Sequence, residues 1–218
     1  MDEYLAGTET IDRDAGLIQD TALAVTDGLR SDREKAVALF YFVRDRIRFS
    51  PYVPAHLFEH NRASTVLERG EGLCYQKSIV LAAMARFLGI PARLRFADIR
   101  NHQLSERFRA MMCGSDILIY HGYNELHLDG RWVSATPAYD LRMCLDHGFV
   151  PVEFDGRSDA KFHPRTLSGE PHIEYIREHG HYPDLPWEEI LAARDEFVAG
   201  LGMDVKDFMA KWEQPDGS

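Results

Sequence analysis

The sequence predicts an α+β domain in which a buried helix packs on a small antiparallel sheet. Two observations support this fold class: a run from Tyr75 to Leu88 that is apolar on nearly every side, and an Asp129-Gly130 pair between two alternating segments. The composition, 45% hydrophobic and 11% aromatic over 218 residues, is sufficient for a packed core. We therefore expect a single domain over residues 1–218, with its core at about 31–140 and a C-terminal loop and helical extension over 141–218.

Helical periodicity dominates the sequence before the buried run. Residues Thr10 to Leu29 predict a first helix, and Ser31 and Glu34 form a capping-box pattern at the start of a second. A short helix is predicted over Ala63–Arg69, where glycines then interrupt the pattern. The buried run itself ends at Gly89, in the position where a helix commonly ends with a left-handed residue.

After the buried helix the pattern changes to alternation. The Asp-Gly pair is typical of a type I′ turn, which joins two antiparallel strands through a two-residue loop. Beyond residue 140 the chain is rich in Pro, Gly, His and Asp, which predicts an ordered loop with short elements as far as residue 185. The predicted elements are a strand over 92–99, a helix over 102–112, hairpin strands over 117–128 and 131–136, and two final helices that begin near Pro186 and after Asp204.

Charge and cysteine content exclude several classes of function. Lys and Arg number 25 and Asp and Glu number 35, so the net charge of −10 argues against nucleic acid or an anionic membrane as the main partner. The N-terminus carries acidic residues and no apolar leader, and no apolar run is long enough to span a membrane. Three cysteines are too few for a disulfide scaffold. We therefore expect a cytoplasmic protein, of undefined oligomeric state.

Cys74 is the first candidate for chemistry, because it lies in the first turn of the buried helix. Unpaired backbone N–H groups and the positive end of the helix dipole stabilise a thiolate there. The same N–H groups can hold an oxyanion after the sulfur attacks a carbonyl. A buried cysteine is often inert, however, so the interpretation needs a base close to the sulfur.

The hairpin supplies a candidate base in His121. A two-residue turn pairs His121 with Ala138, and it makes Thr136 and Asp140 the diagonal neighbours of His121 on the same face. Diagonal neighbours lie roughly 7–8 Å apart, within reach of long side chains. Either Thr136 or Asp140 could therefore orient the imidazole.

The remaining polar residues indicate no cofactor. Ten histidines are present, but they form no combined Cys/His pattern of metal ligands, so we expect neither a metal site nor another cofactor. Tyr52, Gln76 and Tyr123 are the candidates for contact with a substrate.

Two segments resemble the motifs of a known family. Gly72-Leu73-Cys74-Tyr75-Gln76-Lys77-Ser78, followed by Ala85-Arg86-Phe87-Leu88-Gly89-Ile90-Pro91-Ala92-Arg93, is similar to the nucleophile motif of the transglutaminase-like superfamily. The segment from His121 to Val133 resembles its second motif, in which a histidine, a small residue and an aromatic precede a turn and a Trp-Val strand. The two motifs occur in the family's order.

The resemblance implies a papain-like fold and a Cys–His–Asp triad. It makes Cys74 the nucleophile and His121 the general base and acid. The family's Asp-Pro reads Thr136-Pro137 here, so the third position is held by Thr136, with Asp140 as the alternative orienting residue. A threonine can hold the histidine tautomer but cannot neutralise an imidazolium.

The resemblance also implies a reaction. A bacterial-type member would act as a cysteine protease or amidase, or as a transamidase, and would attack a peptide, protein or amide substrate through an acyl-thioester at Cys74. The alternative, favoured by Thr136, is a catalytically weak or inactive binding module with the same fold. A thiol redox or metal protein is a third interpretation, based only on the cysteine and histidine content.

Overall fold

A four-stranded antiparallel sheet and one helix that crosses it form the centre of the molecule. The computed structural model describes residues 1–213. The helices are α1 Gly16–Val25, α2 Asp32–Arg46, α3 Ala63–Arg69, α4 Cys74–Phe87, α5 Glu106–Met111, α6 Leu141–His147, α7 Trp187–Gly200 and α8 Val205–Glu213, and the strands are β1 Arg48–Phe49, β2 Glu71–Gly72, β3 Ala92–Asn101, β4 Ile117–Leu128, β5 Arg131–Ala135 and β6 Ile173–Tyr182. The central sheet has the order β5-β4-β3-β6, and β1 and β2 form a separate parallel pair.

The buried helix α4 begins and ends as predicted. Every residue from Gln76 to Arg86 is buried, so the helix has no solvent face and lies inside the domain. At its C-terminus Gly89 adopts φ +81°. The Gly89 N–H then donates to the carbonyl of Arg86, and the Ile90 N–H donates to that of Ala85, which is the Schellman pattern of helix termination.

Helices α1 and α5 are shorter than predicted, whereas α2 starts at the predicted residue. Ser31 Oγ accepts the Glu34 N–H, and Glu34 accepts the Ser31 N–H in return. Before α1, the Ile11 N–H donates to Thr8 Oγ1, and this turn delays the helix to Gly16.

None of the helices among the described residues is long and apolar enough to cross a membrane.

The hairpin register agrees with the prediction near its turn, with Asn124 paired to Ala135 and His127 paired to Trp132. The predicted pairing of His121 with Ala138 is wrong, because β5 ends at Ala135. Pro137 has no N–H for the ladder. The N–H of Thr136 instead donates to the carbonyl of Ala160 at 2.9 Å, so a distant segment takes over where the hairpin stops.

Strand β6 replaces part of the predicted loop. It pairs antiparallel with the edge of β3, for example Ile99 with Tyr175 and Asn101 with Ile173. Many of its side chains are exposed, so the strand lacks the alternating apolar pattern by which a half-buried strand is recognised. The segment after residue 140 therefore supplies an edge strand to the central sheet.

The sheet has two different faces. The helix face packs on α4 and carries the fully buried side chains Leu94, Phe96 and Leu126. The opposite, polar face carries ion pairs, including Arg93 with Glu125 at 2.6 Å. His121 belongs to this polar face, because its ring stacks on that of Tyr123, two residues further along β4.

Candidate active site

Cys74 is the first residue of α4, and the local structure explains why the helix starts there. The parallel pair of β1 and β2 ends at Gly72. The Leu73 N–H then donates to Gln76 Oε1 at 3.0 Å, which is half of a capping box. The N–H groups of the first helical turn have no partner within the helix, so they surround the sulfur with donors.

The first turn of α4 is held against β4 at Gly122. Ser78 Oγ lies 3.0 Å from the carbonyl oxygen of Cys74 and 3.3 Å from that of Gly122. Asn124 Nδ2 donates to the carbonyl of Ser78 at 2.9 Å. A Cβ at Gly122 would lie 2.4 Å from Cβ of Tyr75, so only glycine permits this approach. The sulfur consequently lies beside the residue that follows His121.

The electrostatics of Cys74 differ from the prediction. Cys74 retains partial solvent exposure as a residue, but it lies deep in the domain, and burial raises the pKa of its thiol. The N–H groups of Gly122, Tyr75 and Cys74 lower this pKa, as does Lys77, but they do not overcome burial. The expected preformed thiolate is therefore wrong for this structure, in which the thiol is protonated at neutral pH.

His121 lies under aromatic rings on the polar face. Its ring centroid is 5.0 Å from that of Phe162, 6.1 Å from that of Tyr123 and 6.2 Å from that of Tyr175. Only 4% of the residue is exposed. Burial lowers the pKa of the imidazole to about 3, although Glu178 acts in the opposite direction. At pH 7 the ring is therefore neutral, and a pKa this low makes it a weak base in this state of the protein.

The candidate thiol, Cys74, begins α4, and the candidate base, His121, lies on the adjoining strand β4. Each of them belongs to one of the two segments that resemble family motifs. The sequence profile of the transglutaminase-like superfamily matches residues 19–137, more than half of the chain. The chain belongs to the transglutaminase-like superfamily. The predicted family and fold class are therefore confirmed, and the matched range contains Cys74, His121 and Thr136.

One solved structure has a similar fold. The chain is similar to a crystal structure of a candidate cysteine protease from Cytophaga hutchinsonii, with 15% identity, a TM-score of 0.51, and coverage of 83% of this chain and 46% of that one. A candidate protease from Parabacteroides distasonis ATCC 8503 has 15% identity and a TM-score of 0.40, with coverage of 62% and 25%. The chain thus spans less than half the length of either structure. A comparison with curated proteins found no match.

Thr136 is the residue that the resemblance predicts for the third position of the triad. It is fully buried, and its Oγ1 has no hydrogen-bond partner among the described residues. The same is true of Nε2 of His121, which is also buried. The hydroxyl of Tyr175 lies close enough to Thr136 for the threonine to lower the pKa of the phenol. The two hydroxyl groups do not form a well-formed hydrogen bond. Each of these two buried polar atoms, Thr136 Oγ1 and His121 Nε2, is therefore left unpaired.

Asp140, the alternative orienting residue, has a structural role. Its Oδ1 accepts the Met143 N–H at 2.8 Å and caps α6. Its Oδ2 accepts the Phe49 N–H at 2.9 Å. Each carboxylate oxygen thus holds a backbone segment, because the chain turns into a helix at this residue instead of continuing β5. This geometry does not support the alternative in which Asp140 orients His121.

The three predicted substrate contacts have different environments. Gln76 is fully buried and its Nε2 donates to Asn61 Oδ1 at 2.8 Å, so it fixes a loop and does not face a substrate. Tyr123 is also fully buried and donates to Glu178 at 2.9 Å. Both predictions need correction, because these side chains turn inward. Tyr52 is 38% exposed and remains a candidate.

Several residues of the site were missed because they follow residue 140. Phe162 and Tyr175 contact the His121 ring. Glu178 on β6 accepts hydrogen bonds from Tyr123 and Arg95 and pairs with Lys161. The β-branched and aromatic residues at 173, 175 and 176 are a weak strand signal. Nothing local in the sequence places them beside His121.

Proposed function

We propose that the protein is a thiol enzyme that transfers the acyl group of an amide or peptide carbonyl through a thioester on Cys74. The observation that supports this proposal is the contact between the first turn of α4 and Gly122, which brings the sulfur close to backbone N–H groups, including that of the residue after His121. Peptides or proteins are the proposed substrates, and a cytoplasmic location stays a prediction.

The first step forms the acyl-enzyme. The Cys74 sulfur bonds to the carbonyl carbon as the thiol proton passes to His121, which is neutral and can accept it. The carbonyl oxygen takes the electron pair and is stabilised by backbone N–H groups at the start of α4. The carbon–nitrogen bond then breaks, and His121 returns the proton to the departing amine.

The second step releases the acyl group. Water loses a proton to His121 while its oxygen bonds to the thioester carbon, after which the carbon–sulfur bond breaks and the sulfur regains the proton. An amine in place of water would give transamidation by the same path. Because the resting thiol and imidazole are both neutral, proton transfer has to accompany attack, so we expect a slower enzyme than one with a preformed ion pair.

A hydroxylamine trap tests the thioester. The protein is incubated with a mixed peptide library, with and without hydroxylamine, and products are identified by mass spectrometry. We expect new carboxylic acids, and peptidyl hydroxamates when hydroxylamine is present. Cys74→Ala should abolish both products, and His121→Ala should reduce their rate at least about 100-fold.

Two cysteine variants serve as controls. Cys144 is buried in α6, and Cys113 lies between α5 and β4, so Cys113→Ala and Cys144→Ala should keep the activity. Equal product formation by Cys74→Ala and the unchanged protein would contradict the proposal.

A non-catalytic binding module is the second candidate function. The unpaired Nε2 of His121 and Oγ1 of Thr136 favour it, since the site lacks the charge that a triad normally contains. In this case no acyl product would form, and Cys74 would react with iodoacetamide no faster than glutathione does. Formation of a hydroxamate that depends on Cys74 would exclude it.

A further inference from the structure

A largely aromatic cavity lies next to the candidate active site. It has a volume of about 330 Å³, and we call it the aromatic cavity. Its apolar wall includes Phe49, Tyr52, Phe108, Leu118, Tyr139 and Phe149. This volume is at the lower end of the range for ligand sites, so it suits one large side chain better than an extended ligand.

Tyr139 connects the aromatic cavity to the site. Its ring packs on Phe162 with centroids 4.5 Å apart, and Phe162 packs on His121. Phe49, also in the cavity wall, pairs with Gly72, two residues before Cys74. Asn101 Nδ2 donates to the Tyr139 hydroxyl at 3.2 Å and holds this shared wall in place.

A second cavity approaches Cys74 from another direction. It has a volume of about 410 Å³ and is lined by Leu73 and Tyr75, the two sequence neighbours of Cys74. Pro51 and Tyr52 line both cavities. The two cavities thus meet at Pro51 and Tyr52, in the segment near the start of α4. A substrate attacked by Cys74 would have the aromatic cavity on one side.

The charge of the aromatic cavity restricts its occupant. The chain has 35 Asp and Glu residues and 25 Lys and Arg residues, yet none of these lines the aromatic cavity in the described part of the chain. Its polar groups are amides, hydroxyls and His147. A charged side chain would lose hydration in a cavity whose lining contains no Lys, Arg, Asp or Glu, whereas an aromatic one would bury apolar surface.

We propose that the aromatic cavity binds an aromatic or large apolar side chain of the substrate, next to the carbonyl group that Cys74 attacks. The proposal rests on the proposed function for the identity of the substrate, but the binding itself does not require catalysis. It makes the protein selective for apolar residues near the bond that is cleaved or transferred.

The binding test uses the full chain with Cys74→Ala, so that no reaction can interfere. The probes are the amides of N-acetyl-phenylalanine, N-acetyl-aspartate and N-acetyl-lysine, and their dissociation constants are measured by NMR titration. We expect the phenylalanine probe to bind at least about tenfold more tightly than either charged probe. Equal affinities, or no binding by any probe, would overturn the proposal.

A variant that fills the cavity provides the second arm. Leu104 lines the aromatic cavity, and Leu104→Trp should weaken binding of the phenylalanine probe at least about tenfold. The control residue Leu145 lies on α6, is 62% exposed and does not line the cavity. The variant Leu145→Trp should therefore bind the phenylalanine probe normally. If Leu104→Trp has an unchanged far-ultraviolet spectrum and unchanged affinity, the proposal is wrong.

Protection of the thiol separates this proposal from the proposed function. In the protein with its cysteine intact, the phenylalanine probe should slow alkylation of Cys74 by iodoacetamide, because the proposal puts the carbonyl group of the bound probe next to the sulfur. Selective binding and protection without any acyl product in the hydroxylamine trap would refute the catalytic proposal alone. Acyl transfer without selective binding would refute the cavity proposal alone.

Discussion

The two faces of the central sheet have different tasks. On the helix face, Leu94, Phe96 and Leu126 are fully buried against α4. On the polar face, Arg95 and Glu178 form a partly exposed ion pair at 3.1 Å. Buried apolar area contributes far more to stability than exposed ion pairs do. We infer that the helix face holds the fold together, while the polar face sets the environment of His121.

The candidate active site lies where the two faces of the sheet meet. Cys74 approaches β4 from the helix side, whereas the ring of His121 lies among residues of the polar face. The proposed chemistry therefore depends on a close backbone approach at Gly122 more than on either face alone. The comparison predicts large stability effects on the helix side and small ones on the polar side.

The largest expected effect is on the helix face. Phe96→Ala would leave a cavity against α4 and should lower the free energy of unfolding by about 4 kcal/mol. Its sequence neighbour on the polar face is the matched control, and Arg95→Ala should cost less than about 1 kcal/mol. Urea denaturation of both variants measures the difference. Similar losses in the two variants would contradict the division between the faces.

The second prediction concerns the boundary. Gly122→Ala would force the first turn of α4 away from β4, because the new Cβ meets both Cβ and Cα of Tyr75. We expect a loss of about 3 kcal/mol in unfolding free energy and altered alkylation of Cys74. Gly16→Ala, where a Cβ meets nothing within 4 Å, should change stability by less than about 0.5 kcal/mol. A fully stable Gly122→Ala protein would show that the contact is looser than described.

Lys77 is a charged exception on the helix side. It is fully buried on α4, and its Nζ donates to the carbonyl of Arg44 at 2.9 Å. Burial lowers its pKa from an ordinary 10.5 to about 7, against the influence of Asp140, Asp45 and Cys144. Between pH 7 and 10.5 the unfolded chain binds more protons at this lysine than the folded one, so this residue makes stability rise with pH across that window.

Lys77→Met should therefore stabilise the protein most at low pH. We expect a gain of about 2 kcal/mol at pH 6, where the lysine is charged in both states, and a much smaller gain at pH 10. Chemical denaturation at the two pH values measures it. A gain independent of pH would mean that packing, and not the buried charge, determines the effect.

The smallest expected effect is at the triad position. Thr136→Asp should place a carboxylate near Nε2 of His121, raise the pKa of the imidazole and so favour the charged thiolate–imidazolium pair. We expect iodoacetamide to alkylate Cys74 about tenfold faster at pH 7. Thr136→Asn, which has a similar shape without the charge, should have much less effect. Equal rates in the two variants would show that charge is not the missing property.

Much of the fold could be predicted because its signals are local. The capping box at Ser31, the left-handed Gly89 and the Asp129-Gly130 turn each depend on residues a few positions away. The position of Cys74 at the start of a helix likewise depends on residues a few positions away. Strand β6 could not be predicted in this way, because its partner β3 lies more than 70 residues earlier and its own pattern is weakly apolar.

The sequence by itself determined the buried helix that begins at Cys74, the hairpin and the family to which their motifs belong. Only the tertiary structure decided that Asp140 caps a helix, that Gln76 and Tyr123 turn inward, and that the thiol and imidazole are both neutral. The physical reason is that protonation and accessibility depend on burial. Burial at this site is produced by segments distant in sequence, whose packing on His121 no local pattern records.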